Sequence, residues 1–121
     1  MNAAQDQHLL VMVLEDDAET PADETLIGCV AYERGEEQDG DWFIKALAVQ
    51  RAFQRRGNGS ILMNTCLGHL AEITPGGTVY WHVVTANQAS RKMCQSIGAI
   101  GRIGDGYQDL MIFAVRLPGT P

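Results

Sequence analysis

The segment LAVQRAFQRRGNGSILMNTCLGHL, from Leu47 to Leu70, limits what this chain can be more than any other. An apolar run leads through a short basic connector and two glycines around Asn58 into residues spaced for a helix. That order reads as a strand, a turn full of uncovered amides and a helix start. Backbone N–H groups at a helix N-terminus lack partners inside the helix, and the macrodipole adds partial positive charge there, so such a turn attracts phosphate. Arg51, Arg55 and Arg56 set three of the chain's nine basic side chains beside it. The run Gln54-Arg55-Arg56-Gly57-Asn58-Gly59 has the form Gln/Arg-x-x-Gly-x-Gly/Ala. Its glycines let a ligand approach the backbone closely and leave amides uncovered. A dinucleotide fold needs G-x-G-x-x-G at its first strand and an acidic residue after the next, and a P-loop needs a Lys-Ser/Thr pair; neither is present. The plain alternative is an ordinary glycine-bearing turn from strand to helix.

A length of 121 residues suits one layered domain, residues 1–121. The net charge of −6 disfavours nucleic acid, whose binding rests on neutralising phosphates with basic residues. The clustered arginines therefore point to one small, local anion. No apolar run approaches the roughly 20 residues of a membrane helix, so no membrane partner is expected. The opening MNAAQDQHLL lacks the basic start and long apolar stretch of an export signal, and a cytoplasmic location follows by default. Cys29, Cys66 and Cys94 are odd in number, widely spaced and free of any C-x-x-C pair, which argues against a disulfide framework and a zinc site.

In chain order, His8–Leu14, Leu26–Tyr32 and Asp41–Val49 read as three strands joined by polar links, an antiparallel meander that delivers the chain to the glycine turn. Beyond Gly59, Leu62, Cys66, His69, Leu70 and Ile73 recur at helical spacing and predict a stripe packed on the sheet. Pro75-Gly76-Gly77 stops that helix, and Thr78–Val84 is dense in β-branched and aromatic residues, completing a βαβ unit. Asn87 fits an N-cap with Ser90 three residues on, a second helix runs to about Ile97, and Gly98 ends it. Asp109–Leu117 reads as the closing strand.

Two of these segments resemble, in order and one strand apart, the paired motifs of the GCN5-related N-acetyltransferase (GNAT) family. LAVQRAFQRRGNG is similar to its acetyl-CoA motif, and ANQASRKMCQSIGA to the segment that follows. The resemblance runs from about Leu26 to the C-terminus. It implies an α+β fold with a mixed, mostly antiparallel sheet of about six strands, a central βαβ unit, and a splay between the third and fourth strands that takes acetyl-CoA. It further implies that Leu47, Ala48 and Val49 meet the pantetheine arm through their backbones, that Gln54, Arg55, Arg56, Gly57, Asn58, Gly59 and Ser60 hold the pyrophosphate, and that Asn87 and Ser90 form the opposite wall. The partners so implied are acetyl-CoA and an amine acceptor, with no metal.

Moving an acetyl group to an amine needs a neutral amine, a donor to the developing oxyanion and a proton for the departing thiolate. The resemblance puts the oxyanion donor at a backbone N–H near Leu47. Five residues before Asn87, where one branch of the family has a glutamate base, this chain has His82, and imidazole, with an unperturbed pKa near ~6.5, accepts a proton at neutral pH. A strand histidine held for structure is the alternative. Seven residues after Asn87, where the family commonly has an acidic tyrosine, stands Cys94. A thiol can donate a proton but is more often a small buried hydrophobe. Tyr107, in the loop before the last strand, and Tyr80 are substitutes. Family members usually begin with a strand and two helices that wall the acceptor site, and few residues precede the first strand here. A homodimer is expected to cover the resulting surface. Asp16, Asp17, Glu36, Glu37 and Asp39 either draw a cationic amine or are solvated loops. The competing function is an acyl-CoA-binding module that keeps the grip without the chemistry.

Overall fold

Three apolar runs separated by polar links precede the first helix in the chain and pair with one another. They are β1 (Gln7–Leu14), β2 (Thr25–Arg34) and β3 (Trp42–Val49), joined antiparallel in that order. The structure, a computed structural model, describes residues 7–14, 25–35, 41–104 and 107–119, apart from the side chains at 12–14, 25, 104, 107 and 108. After β3 come a 3-10 turn at Arg51–Phe53, helix α1 (Asn58–Ile73) and strand β4 (Thr78–Val84), which lies parallel to β3. Helix α2 (Gln88–Ser96), β5 (Ile100–Gly104) and β6 (Tyr107–Arg116) complete the chain. The six strands form one sheet in the order β1-β2-β3-β4-β6-β5, with β3–β4 as its parallel pair. This is the mixed, mostly antiparallel α+β arrangement with a βαβ unit that the resemblance implies.

Two boundaries differ from the sequence reading. The short run Ile100–Gly104 carries two glycines and an arginine, so it lacks the apolar density of the other strands, yet it pairs with β6. That pairing sets Gly104 against Tyr107, so Tyr107 begins β6 instead of lying in a preceding loop. On α1 the buried stripe is Leu62, Met63, Cys66 and Leu70. His69 falls just off this arc and Ile73 is the last residue of the helix, so both are exposed.

Strand β4 alternates cleanly. Val79, Trp81 and Val83 are buried towards the helices, while Thr78, Tyr80, His82 and Val84 point to the other face. Trp81 stacks on Phe113 of β6, and α2 adds Cys94 to this core. Gly28 lets α1 settle close: a Cβ there would run into the Ala48 carbonyl oxygen and lie 2.9 Å from Leu62 Cδ1.

One irregularity shapes everything that follows. Across β2 and β3, Ala31 faces Ala46 but Tyr32 faces Ile44, so Lys45 is an extra residue. Before it, Trp42 and Ile44 point to the core; after it, Leu47 packs against the core and Leu47 and Val49 reach towards α1. Such a bulge bends a strand and increases its twist. The β3–β4 ladder runs through three pairs and stops at Ile44–Trp81, next to the bulge, and beyond this point the two strands part. None of the described helices is long and apolar enough to cross a membrane.

Candidate active site

The turn between β3 and α1 is braced by its own side chains. Gln54 Nε2 donates to the Val49 carbonyl at 2.9 Å and Asn58 Nδ2 to the Phe53 carbonyl at 2.9 Å, tying both ends of the connector down. Within it, Arg55 (φ 63°) and Gly57 (φ 81°) both adopt the left-handed conformation. For arginine this is uncommon and costs energy, which other contacts must offset. Gly57 is the N-cap of α1 and offers no side chain to it. The first backbone N–H to find a carbonyl is that of Ile61, which donates to Gly57 at 3.1 Å. Among the described residues, the amides of Asn58, Gly59 and Ser60 thus have no acceptor. A Cβ on Gly57 would meet nothing within 4 Å. The start of α1 is a cluster of donors facing open space, the arrangement that favours an anion.

The start of α2 lies across from it. Asn87 Oδ1 accepts from the Ser90 N–H at 3.2 Å, so this helix is capped from within and the Asn87 amide NH2 stays available. Arg91 Nη1 donates to the Thr85 carbonyl at 3.1 Å and steadies the loop that presents Asn87.

Between the two helix starts runs a slot. Its wider part, about 520 Å³, is lined by Leu47, Val49, Gln54, Arg55, Gly57, Asn58, Gly59, Ser60, Asn87 and Ser90, together with Ala89 and Met93. A narrower part of about 250 Å³ continues from Leu47, Asn87, Ser90 and Met93 into the gap where β3 leaves β4. Most of the residues expected to hold the cofactor therefore border one continuous space. Ala48 and Arg56 are exposed and line neither part.

His82 and Cys94 both border the gap, from opposite faces of the sheet. His82 projects from β4 on the face away from the helices, its ring edge-on to Phe43 with centroids 5.3 Å apart. Cys94, on the inner face of α2, is 0% exposed, its Sγ accepting from Trp81 Nε1 at 3.1 Å. Burial pushes the Cys94 thiol up, and the Trp81 indole and a backbone hydrogen bond oppose this only in part. The thiol holds its proton, which makes it a poor nucleophile and a reluctant acid. Tyr107 lies in β6, and its side chain is outside the described residues.

The family model of the acetyltransferase (GNAT) family matches residues 2–99, from before β1 to the end of the α2 segment. The chain belongs to this family. Among solved structures, a GNAT-family acetyltransferase from Desulfovibrio desulfuricans superposes with a TM-score of 0.75 at 18% identity, covering 95% of this chain and 71% of its own. The ribosomal-protein-S18-alanine N-acetyltransferase of Escherichia coli gives 0.70 at 17% identity, covering 93% and 72%. NAA60 of Arabidopsis thaliana, solved in complex with acetyl-CoA, gives 0.74 at 18% identity, covering 93% and 77%. At these identities the likeness is one of fold. No curated protein matches the sequence.

In this GNAT chain the sequence left several site residues unnamed. Trp81, Met63 and Met93 wall the gap, and Lys45 enters it at the bulge, where its Nζ lies 3.7 Å from Glu33 Oε2. The alternation of β4 was the available signal for Trp81; nothing local marks Lys45. A further cleft of about 660 Å³ covers the face opposite the helices, lined by His82 and Tyr80 of β4, Ile100 and Arg102 of β5, and Ile112, Ala114 and Arg116 of β6, among others. His82 thus borders both the gap in the sheet and this cleft. Asp16, Asp17, Glu36, Glu37 and Asp39 lie outside the described residues.

Proposed function

We propose that the protein transfers the acetyl group of acetyl-CoA to a primary amine, directly, with both substrates bound at once. The observation that carries this reading is the uncapped, glycine-marked start of α1 opening into a slot that ends where β3 and β4 part. The free amides of Asn58, Gly59 and Ser60, with Arg55, suit a pyrophosphate. The amide NH2 of Asn87 and the open edge of β3 beyond Ile44 suit the alternating carbonyls and amides of pantetheine. Bound there, acetyl-CoA supplies an activated acetyl thioester. A backbone N–H near Leu47 would donate to the developing oxyanion, and His82, at the junction of gap and cleft, would take the proton of the incoming amine.

Two measurements test the reading. Acetyl-CoA should raise the melting temperature, because a ligand of the native state stabilises it by mass action. CoA release should then accompany acetylation of an amine. No shift at millimolar acetyl-CoA would sink the proposal. His82→Ala should slow turnover by about 100-fold or more and leave the thermal shift in place. Unchanged turnover would remove His82 from the chemistry.

A second reading, the non-catalytic acyl-CoA-binding module, is favoured by one observation: the Cys94 sulfur is fully buried, bonded by Trp81 and held neutral. Acetyl-CoA binding without CoA release across amines, peptides and protein N-termini would select it. Exposed Leu9 and Val11 on the edge strand β1 support the homodimer, and light scattering would give its mass.

A further inference from the structure

We propose that the acceptor is a small amine bearing a carboxylate, with its amine directed to His82 and its carboxylate held by Arg102. The inference rests on the acetyl-transfer reading above and concerns the second substrate of the same site.

Sheet register carries it. Ile112 of β6 faces His82 of β4 on one side and Arg102 of β5 on the other. Residues paired in register across adjacent strands project to the same face, so Arg102, Ile112 and His82 form one row over the cleft. With strands about 4.8 Å apart, His82 and Arg102 are about 10 Å apart at Cα, and the long arginine stem spans much of that distance. Ile112 and Ala114 make an apolar floor, and the volume of about 660 Å³ lies within the usual range for a small-molecule site.

Charge decides what fits. In a chain with a net charge of −6, the described residues that line this cleft include two guanidinium groups, Arg102 and Arg116, against one carboxylate, Asp41. Among the described residues neither arginine has an ion-pair partner, whereas Lys45 is paired with Glu33. An arginine presents a planar fork that matches a carboxylate with two hydrogen bonds, and above an apolar floor such a pair is screened less than in open water. A polyamine would instead bring a second positive charge against these groups. The cleft thus favours an anionic acceptor over a cationic one.

The full-length protein with acetyl-CoA tests this on matched acceptors, free amino acids against their carboxamides and decarboxylated amines, followed by CoA release. The carboxylate member of a set should exceed its carboxamide in kcat/KM by about 10- to 100-fold, chiefly through KM. Arg102→Gln should bring that ratio close to one, and Arg102→Lys should restore part of it. Equal use of carboxamide and acid, a ratio that survives Arg102→Gln, or acetylation confined to peptides or decarboxylated amines would overturn the proposal. So would acetyl-CoA binding with no acceptor used. Absence of any acetyl-CoA-induced thermal shift would overturn the acetyl-transfer reading itself, and the acceptor proposal with it.

Discussion

The two helices that flank the slot begin in opposite ways. α2 caps itself, Asn87 taking the Ser90 N–H; α1 begins on a left-handed glycine and leaves three amides without acceptors among the described residues. Both ends obey the same rule, that the first N–H groups of a helix need partners. Where the chain supplies the partner itself, the helix gains stability. Where it withholds one, the unmet donors remain for something else. The contrast supports the start of α1 as the proposed anion site more firmly than the arginines do, since Arg56 is exposed and borders no part of the slot.

Gly57→Asp should break the contrast most strongly, by placing a carboxylate where α1 now has none. Acetyl-CoA affinity should fall by about 100-fold or more in calorimetry, since the new charge both repels phosphate and occupies the amides. The unliganded protein should stay folded, because aspartate is tolerated at positive φ and is a good cap. Unchanged affinity would mean that the ligand does not use the start of α1.

The helices are alike on their inner faces, each carrying a buried thiol. Burial lifts the pKa of the Cys66 thiol, on the inner face of α1, to about 11. A folded-state pKa above the unfolded value means that stability is fully present below the ordinary thiol value of 9.0 and is lost as pH rises through about 11. In urea titrations across that window, wild type should lose up to about 1.4 kcal/mol per pH unit more than Cys66→Ala. Parallel slopes would contradict the burial of this group.

Asn87→Ala removes the cap of α2 and should cost about 1 kcal/mol of stability in denaturant titrations, with weaker acetyl-CoA binding besides. Loss of stability alone would assign Asn87 to the helix and not to the ligand. The smallest effect is expected for Arg55→Gly. Relief of the left-handed arginine should raise the stability of the unliganded protein by up to about 1 kcal/mol, while binding weakens with the lost charge. A fall in both would show that the arginine conformation carries no strain.

Local chemistry was readable in the sequence; non-local pairing was not. Gly57, Asn58 and Gly59 announced a helix start with uncovered amides, and Asn87 with Ser90 announced a cap, because those signals lie within four residues of the structures they specify. The stretch Phe43–Val49 reads as an uninterrupted strand, and the bulge at Lys45 appears only when β2 sets the register. The row of Arg102, Ile112 and His82 depends on β6 lying between β4 and β5, a strand order to which no neighbouring residue testifies. The family resemblance singles out His82 and Cys94 by their offsets from Asn87, but those offsets do not reveal that the two residues approach the gap from opposite faces.

The slot is encoded by a count. Two residues separate Ile44 from Leu47 where an unbroken strand needs one to return to the same face. Changing the side chain at position 45 leaves that count alone, so the opening should tolerate broad variation there. Deleting the residue restores even alternation, lets β3 continue along β4, and should close the slot while every residue proposed to contact the ligand is still present in the chain.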